Sequence, residues 1–400
     1  MFISVSTYIF LMFIIFWGYC GFLILLTLAN AVSGRREPPL PPDETLPSMA
    51  LLIPCYNEGA SIERKIRNTE ALSYPPEKLE IFFLNGLSSD DTAEVIRRNC
   101  AGKKNWHLVE TGRSGKVPQV NCGIEQLHGR FELVTVSDAD TLLEPEVLLR
   151  LAAEFASDPK VGVAGANISP AQDTLSIEKA FWLDQNVVRL LESGVYTSSI
   201  VVAPCFAFRS SFFSAFPEDC VADDIYIAFK ANTEGWFSRY VQSARGEETR
   251  SPSTFSQYFS HKFRKGNAYL AELLRSLYQL PRMAGWWKTI YITKFLQVAV
   301  IPWLLPYFAL STVSLLLSGP GFSKVAVFAL CFLFVSLLAT HFMLKRFRAT
   351  HMGAKSSKRS TIAFFVVNNL ILVLVGLSYP FYRQTSCYSR LPGQAGAPQA

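Results

Sequence analysis

Asp138 and Asp140 end an apolar run, Phe131-Glu-Leu-Val-Thr-Val-Ser, at a spacing of i, i+2. In an extended backbone alternate side chains share a face, so the two carboxylates can meet one cation or one polyphosphate together. The same spacing is common in solvated turns, and its chemical meaning rests on what converges with it. Two further polar segments follow apolar runs, Pro54-Cys-Tyr56-Asn-Glu58 and Asn85-Gly-Leu-Ser-Ser-Asp90-Asp91-Thr92. Gly112-Arg-Ser-Gly-Lys116, followed by Asn121, supplies a flexible cationic loop opening a helix, where backbone N–H groups favour an anion. It lacks the Lys-Ser/Thr ending and the glycine spacing of a Walker loop. A cation, a carboxylate pair and loops at one sheet edge describe a site for a nucleotide diphosphate and a metal. Downstream, Ala222-Asp223-Asp224 precedes a helical stretch. The two acids are either an N-terminal cap or a pair that raise one another's proton affinity.

The elements that must position these groups alternate strand with helix. Met49 to Pro54 is an apolar strand, followed by a helix from about Ser61 and the strand Leu79 to Leu84. A helix from about Thr92, a short strand around Trp106 to Val109, a helix from about Pro118 and the Phe131 strand complete the series. That alternation predicts parallel pairing in a doubly wound α/β sheet, with each polar segment at the carboxyl end of a strand, where ligands collect.

Composition points to a membrane. The 400-residue chain is 50% hydrophobic with a mean hydropathy of +0.22, too apolar for an ordinary soluble protein. No charge precedes Arg35, and Tyr8 to Ala31 is long and apolar enough to cross about 30 Å of hydrocarbon without the basic start of a signal peptide. Phe295 to Leu317, Val325 to Leu344 and Ile362 to Phe381 bring the expected spans to four. Lys345, Arg346, Arg348, Lys355, Lys358 and Arg359 crowd one loop, which the positive-inside rule places in the cytosol with the long middle region. Both termini then lie outside; Arg35 and Arg36 agree, and Arg383 and Arg390 dissent. Leu270, Leu273, Leu274 and Leu277 recur at i, i+3, i+4 and i+7, the pattern of an amphipathic helix. It either lies on the membrane with Trp286 and Trp287 at headgroup depth, or is a core helix of the soluble domain. Pro302 and Pro306 predict a kink in the span that follows.

The eight cysteines are scattered, with no Cys-x-x-Cys pair and no histidine spacing of a metal site. The formal charge of +6 is accounted for largely by cations flanking the spans, so nucleic acid is not an expected partner.

The ordered set Pro-x-Tyr-Asn-Glu, Ser-x-Asp-x-Thr, Gly-Lys-x-x-x-x-Asn-x-Gly and Asp-Ala-Asp resembles the membrane-integrated family 2 glycosyltransferases, which include cellulose, hyaluronan and poly-N-acetylglucosamine synthases. The resemblance covers about Met49 to Gly266 and, with the spans, most of the chain. It implies a GT-A (Rossmann-like) cytosolic domain that binds a nucleotide sugar, usually a UDP-sugar, with Mg2+ or Mn2+. Carried over by residue, Tyr56 and Glu58 face the base and ribose, Lys116 the diphosphate, Asp138 the nucleotide or sugar, and Asp140 the metal, with Asp138 a second metal candidate. Asp224 aligns with the family's general base, and Asp223 replaces a Glu beside it. Two positions depart. Gly86 stands where an Asp normally contacts the base, leaving Asp90 or Asp91 as available carboxylates. The Gln-x-x-Arg-Trp motif is absent as written, its nearest equivalents being Phe259, Lys262 and Phe263, so Lys262 and Phe263 are the expected acceptor contacts. His261 beside them is either a phosphate contact or a solvated histidine.

The expectation is therefore a transmembrane helix over 1–33, a Pro-rich linker over 34–48, a GT-A domain over 49–266, an amphipathic interfacial segment over 267–294, three spans over 295–383 and a tail over 384–400. The expected activity is inverting transfer of a hexosyl or N-acetylhexosaminyl group to a glycan or lipid acceptor at the cytosolic face of a plasma (inner) membrane. Its partners are the nucleotide-sugar donor, that acceptor and membrane lipids. The alternative is a catalytically silent scaffold that keeps the fold.

Overall fold

The computed structural model describes residues 4–351 and 358–382. The expectations placed on Lys355, Arg383, Arg390 and the tail 384–400 lie outside them. The soluble half is built on one eight-stranded sheet: β1 Met49–Cys55, β2 Leu79–Asn85, β3 Trp106–Glu110, β4 Leu133–Ser137, β5 Thr141–Leu143, β6 Val161–Ser169, β7 Cys205–Arg209 and β8 Phe237–Glu248. The order across it is β3-β2-β1-β4-β7-β6-β8-β5.

The first four neighbours, β3, β2, β1 and β4, run parallel as the alternation predicts. Beyond them the expectation of parallel pairing is corrected: β7 runs antiparallel to both β4 and β6, and β5 antiparallel to β8, while β6 and β8 are parallel. The helix between β6 and β7, Ser176–Val195, packs against the apolar helices Phe22–Ser33 and Lys358–Ser378. Its role is to dock the sheet rather than to cover it in a simple right-handed crossover.

β1 is buried at every position, as a strand covered on both faces must be. Leu51 and Ile53 pack with Ile62, Val95 and Leu148 on one face, and Ala50 and Leu52 with Val117, Val120 and Phe206 on the other. The Pro-rich linker is pinned to this domain. Arg35 forks onto the buried Glu154 carboxylate at 2.6 and 3.1 Å, and Lys78 donates to the carbonyls of Asp43, Glu44 and Leu46.

Among the described residues, three helices are long and apolar enough to cross a membrane: Val5–Val32, Gly285–Leu317 and Pro320–Thr350; a shorter apolar helix, Phe365–Ser378, follows. The second begins at Gly285, not at Phe295, and its irregularity is a π-helical turn, Leu296–Val300, immediately before Pro302. The expected boundary at 266/267 falls inside one helix, Phe255–Ser276. Along it Leu270 and Leu273 are buried while Leu274 faces outward, as does Leu277 just beyond its end. Trp287 is not at a free surface; it packs on Phe229 and Tyr291 and donates its Nε1 to Thr233 Oγ1 at 3.1 Å.

Soluble and apolar helices thus share one core. Phe22, Leu26, Val187, Leu191, Phe229 and Val375 belong to it. Two ion pairs cross the same junction: Arg348 with Asp184, and Lys294 with Glu192 at 2.8 Å, both partners of the latter buried. Lys294→Met leaves the Glu192 carboxylate buried without its cation and is expected to cost about 3–5 kcal/mol. Thermal unfolding in detergent should show a lowered midpoint that Glu192→Gln in the same chain largely restores; equal midpoints for the single variant and the unmodified protein would contradict this role.

Candidate active site

The helix Lys116–Leu127 starts after Gly115, whose φ of +95° suits a residue without a side chain. That turn delivers the Lys116 ammonium to a point 2.8 Å from Asp138 Oδ1, 2.9 Å from Asp223 Oδ2 and 2.8 Å from the Ala203 carbonyl. Three acceptors meet three N–H donors. Burial opposes the charge, but the two carboxylates outweigh it and hold the amine protonated. Asp138 is pushed up by the same burial and pulled back by Lys116.

The Asp-Ala-Asp segment is a turn between β4 and β5 rather than the end of an extended run. Asp138 N–H donates to the Pro204 carbonyl at 3.0 Å and Thr141 N–H to the Asp138 carbonyl at 3.2 Å. Beneath it, buried Lys65 donates to Ser137 Oγ at 2.8 Å and to the Thr141 carbonyl at 2.6 Å, bracketing the turn. Burial lowers the Lys65 pKa to about 8.

Asp223 and Asp224 open the helix Asp223–Thr233, whose cap residue is Ala222, and Asp224 Oδ1 accepts from the first-turn Ile225 N–H at 3.0 Å. Asp223 is turned onto Lys116, and half-buried Asp224 lies beside it. Burial, then the Asp223 charge, pushes Asp224 up to about 6, with Lys265, Lys116 and Arg189 opposing. Glu248 at the end of β8 faces the same space. Burial pushes it up to about 7, Lys265 opposes and Asp140 and Asp138 add to the rise.

The structure brings Lys116, Asp138, Asp140, Asp223 and Asp224 together and moves several other expected residues elsewhere. Glu58 is buried, accepting from Arg250 Nη2 at 2.7 Å and from Ser61 Oγ at 2.6 Å, so it braces the site wall rather than opening to a ribose. Asp90 is taken by Thr92 N–H at 3.1 Å and Gly59 N–H at 2.8 Å and ties two loops together instead of meeting a base. Burial raises its pKa, and these hydrogen bonds lower it further than that. Lys262 is buried against Glu178 at 2.7 Å, with its ammonium 3.2 Å from the centre of the Phe181 ring. Burial drops it to about 8, and it is not open to an acceptor. Phe263 packs beside Phe259 and Tyr382. His261 is half-buried, and burial, then Lys265, Lys262 and Arg264, hold its pKa well below the usual value. Tyr56 stays exposed just after β1.

Gly86 has a physical explanation. A Cβ there would lie 2.2 Å from Gln119 Nε2, because the buried Gln119 amide fills that volume while accepting from Cys55 N–H at 3.0 Å. Arg250, Lys65, Glu248 and Gln119 are all absent from the sequence reading. Arg250 links the site through Nε to Asp140 Oδ2 at 2.9 Å and through Nη2 to Glu58.

Asp138 and Asp140 each have one oxygen engaged, by Lys116 and Arg250, and one left over. No group of three His, Cys, Asp or Glu among the described residues could hold a metal alone. The pair therefore fits a divalent ion as two carboxylate ligands, with phosphate oxygens and water completing the shell, the usual habit of Mg2+ beside a nucleotide.

Residues 50–216 match the family model described as glycosyl transferase family 2. The poly-β-1,6-N-acetyl-D-glucosamine synthase of Staphylococcus aureus (strain COL) is 25% identical over 300 residues, covering 72% of this chain and 70% of the relative. The synthase of the same name from Staphylococcus epidermidis is 25% identical over 270 residues, 64% of this chain and 62% of that protein. Among solved structures, the mannosyltransferase PcManGT from Pyrobaculum calidifontis, in complex with GDP-Man and Mn2+, superposes with a TM-score of 0.64 at 21% identity, covering 93% of this chain and 98% of its own. That likeness places the sheet in the GT-A fold.

Gly86→Asp, which restores the family's usual residue, is expected to destabilise the protein by about 1–3 kcal/mol through overpacking against Gln119. Adding Gln119→Ala vacates the space and lets the new carboxylate accept from Cys55 N–H, so the unfolding midpoint should recover. A neutral Gly86→Asp on its own would show that the Gln119 amide does not hold this volume.

Proposed function

We propose that this chain, a family 2 glycosyltransferase, transfers a sugar with inversion from a UDP-sugar to a lipid or polysaccharide acceptor at the cytosolic face of the plasma membrane. The observation that carries the reading is the convergence on Lys116 of the Asp138 turn and the Asp223-Asp224 helix start, which sets a donor-side carboxylate and a raised-pKa carboxylate around one space. Asp224 acts as general base. It takes the acceptor hydroxyl proton as the acceptor oxygen bonds to the anomeric carbon; the bond from that carbon to the diphosphate breaks and its electron pair leaves with the diphosphate. Lys116 sits where a diphosphate would need a cation, and a divalent ion held by Asp140 and Asp138 would add neutralising charge to the leaving group. The helices Val5–Val32, Gly285–Leu317 and Pro320–Thr350 support a multi-pass membrane protein with its acceptor drawn from or held at the bilayer.

Within this reading, single transfer to a lipid is favoured over processive polymerisation. The position expected to bind the growing chain, Lys262, is committed to Glu178.

Asp224→Asn should lower turnover on the order of a hundredfold or more while leaving nucleotide affinity unchanged, the scale for loss of a general base. The base works ionised. The rate of the unmodified enzyme should therefore fall as pH drops through about 6 and level off above it. Full turnover by Asp224→Asn, measured as radiolabelled sugar transferred in reconstituted membranes, would remove Asp224 from the mechanism; a flat rate between pH 5 and 8 would do the same.

A further inference from the structure

Arg250 is the cation already bound to the carboxylate that a metal would need. Its Nε lies 2.9 Å from Asp140 Oδ2 and its Nη2 2.7 Å from Glu58 Oε1. The two contacts differ in what they cost to break. The Glu58 side chain is 2% exposed and cannot lose its partner cheaply, whereas the Asp140 side chain, 25% exposed, can be rehydrated or take another cation. The backbone holds the segment in place: Thr249 N–H and Oγ1 both donate to the Asp140 carbonyl, at 2.8 and 2.9 Å. Arg250 is thus anchored at Glu58 and hinged at Asp140.

We propose that Arg250 gates the metal site, holding Asp140 until a nucleotide diphosphate arrives, then turning about Glu58 so that its guanidinium meets the phosphates and Asp140 is released to the metal. This rests on the reading of Asp138 and Asp140 as metal ligands. A divalent ion entering alone would face a guanidinium at hydrogen-bond distance from its ligand, with no anion to neutralise both. A diphosphate brings that anion, and a guanidinium fork suits phosphate oxygens as well as it suits carboxylate. Metal and nucleotide affinities are then coupled, and the coupling is reciprocal.

The test is Mn2+ binding to the full-length protein in lipid nanodiscs, read by the electron paramagnetic resonance signal of free Mn2+, with and without UDP. Arg250→Met is combined with Glu58→Gln so that no buried carboxylate is stranded, and Arg250→Lys serves as a folded variant that keeps the charge but loses the fork. For the unmodified protein UDP should tighten Mn2+ about tenfold or more. In the Arg250→Met/Glu58→Gln protein Mn2+ alone should bind about tenfold tighter and the enhancement by UDP should shrink by about the same factor, to what phosphate ligation alone supplies. Arg250→Lys should retain the block on Mn2+ alone and lose part of the enhancement. Unchanged or weaker binding of Mn2+ alone in the double variant, or an undiminished enhancement, would overturn the gate while leaving the metal site in place. Failure of the unmodified protein to bind Mn2+ even with UDP would overturn the metal-site reading and the gate together.

Discussion

An ammonium drawn largely out of water must find partners, and the arrangement of this site follows from how half-buried Lys116 meets that requirement. Removed from water, the charge is tolerable only when all its N–H groups find acceptors and a neighbouring carboxylate balances it. Asp138, Asp223 and the Ala203 carbonyl meet those demands from three separate stretches of chain. Their positions are thereby fixed relative to the N-terminus of one helix. Asp224 is carried to the same place by the helix start that Asp223 fixes; burial and then the Asp223 charge raise its proton affinity, against the opposing charge of Lys116. Moving the lysine would unfasten the Asp138 turn and the Asp223-Asp224 helix start together.

The same logic of paired buried charge joins the catalytic domain to its apolar helices. Lys294 with Glu192 and Lys262 with Glu178 both place an acid of the helix Ser176–Val195 against a cation from the later half of the chain. Glu192 also accepts from Ser199 N–H and Oγ at 2.9 and 2.6 Å, at the start of the loop that runs to Ala203 and Pro204. The loop that supplies one Lys116 acceptor is therefore anchored at its other end to Glu192, the same carboxylate that Lys294 of the helix Gly285–Leu317 holds. The candidate site and the apolar helices are built as one packed unit.

What the sequence made legible was local. Strands β1 to β4 are short apolar runs bounded by polar turns, and Asp138, Asp140, Lys116 and the Asp223-Asp224 pair stand out by type and spacing within a few residues. The second half of the sheet was not legible, because a helix of twenty residues separates β6 from β7 and carries no sign that it docks against other helices. Arg250 finds its partners 110 and 192 residues earlier in the chain, a pairing no short motif encodes. Lys262 was misplaced for the complementary reason: alignment supplied a charge of the right sign, while the fully buried Glu178 that captures it lies in another helix. Gly86 marked a missing carboxylate in sequence, and only packing revealed that Gln119 fills its space.

The most direct test of Lys116 as the common tether is UDP binding, measured by calorimetry with Mn2+ present, on Lys116→Met beside single-turnover sugar transfer by the same protein. Lys116→Met should lose affinity for UDP by at least about tenfold, the worth of roughly 1.4 kcal/mol, and should lose transfer more severely because the Asp223-Asp224 helix start, the proposed base among it, is released with it. A folded Lys116→Met protein that binds UDP and transfers sugar like the unmodified enzyme would contradict a site organised around this lysine.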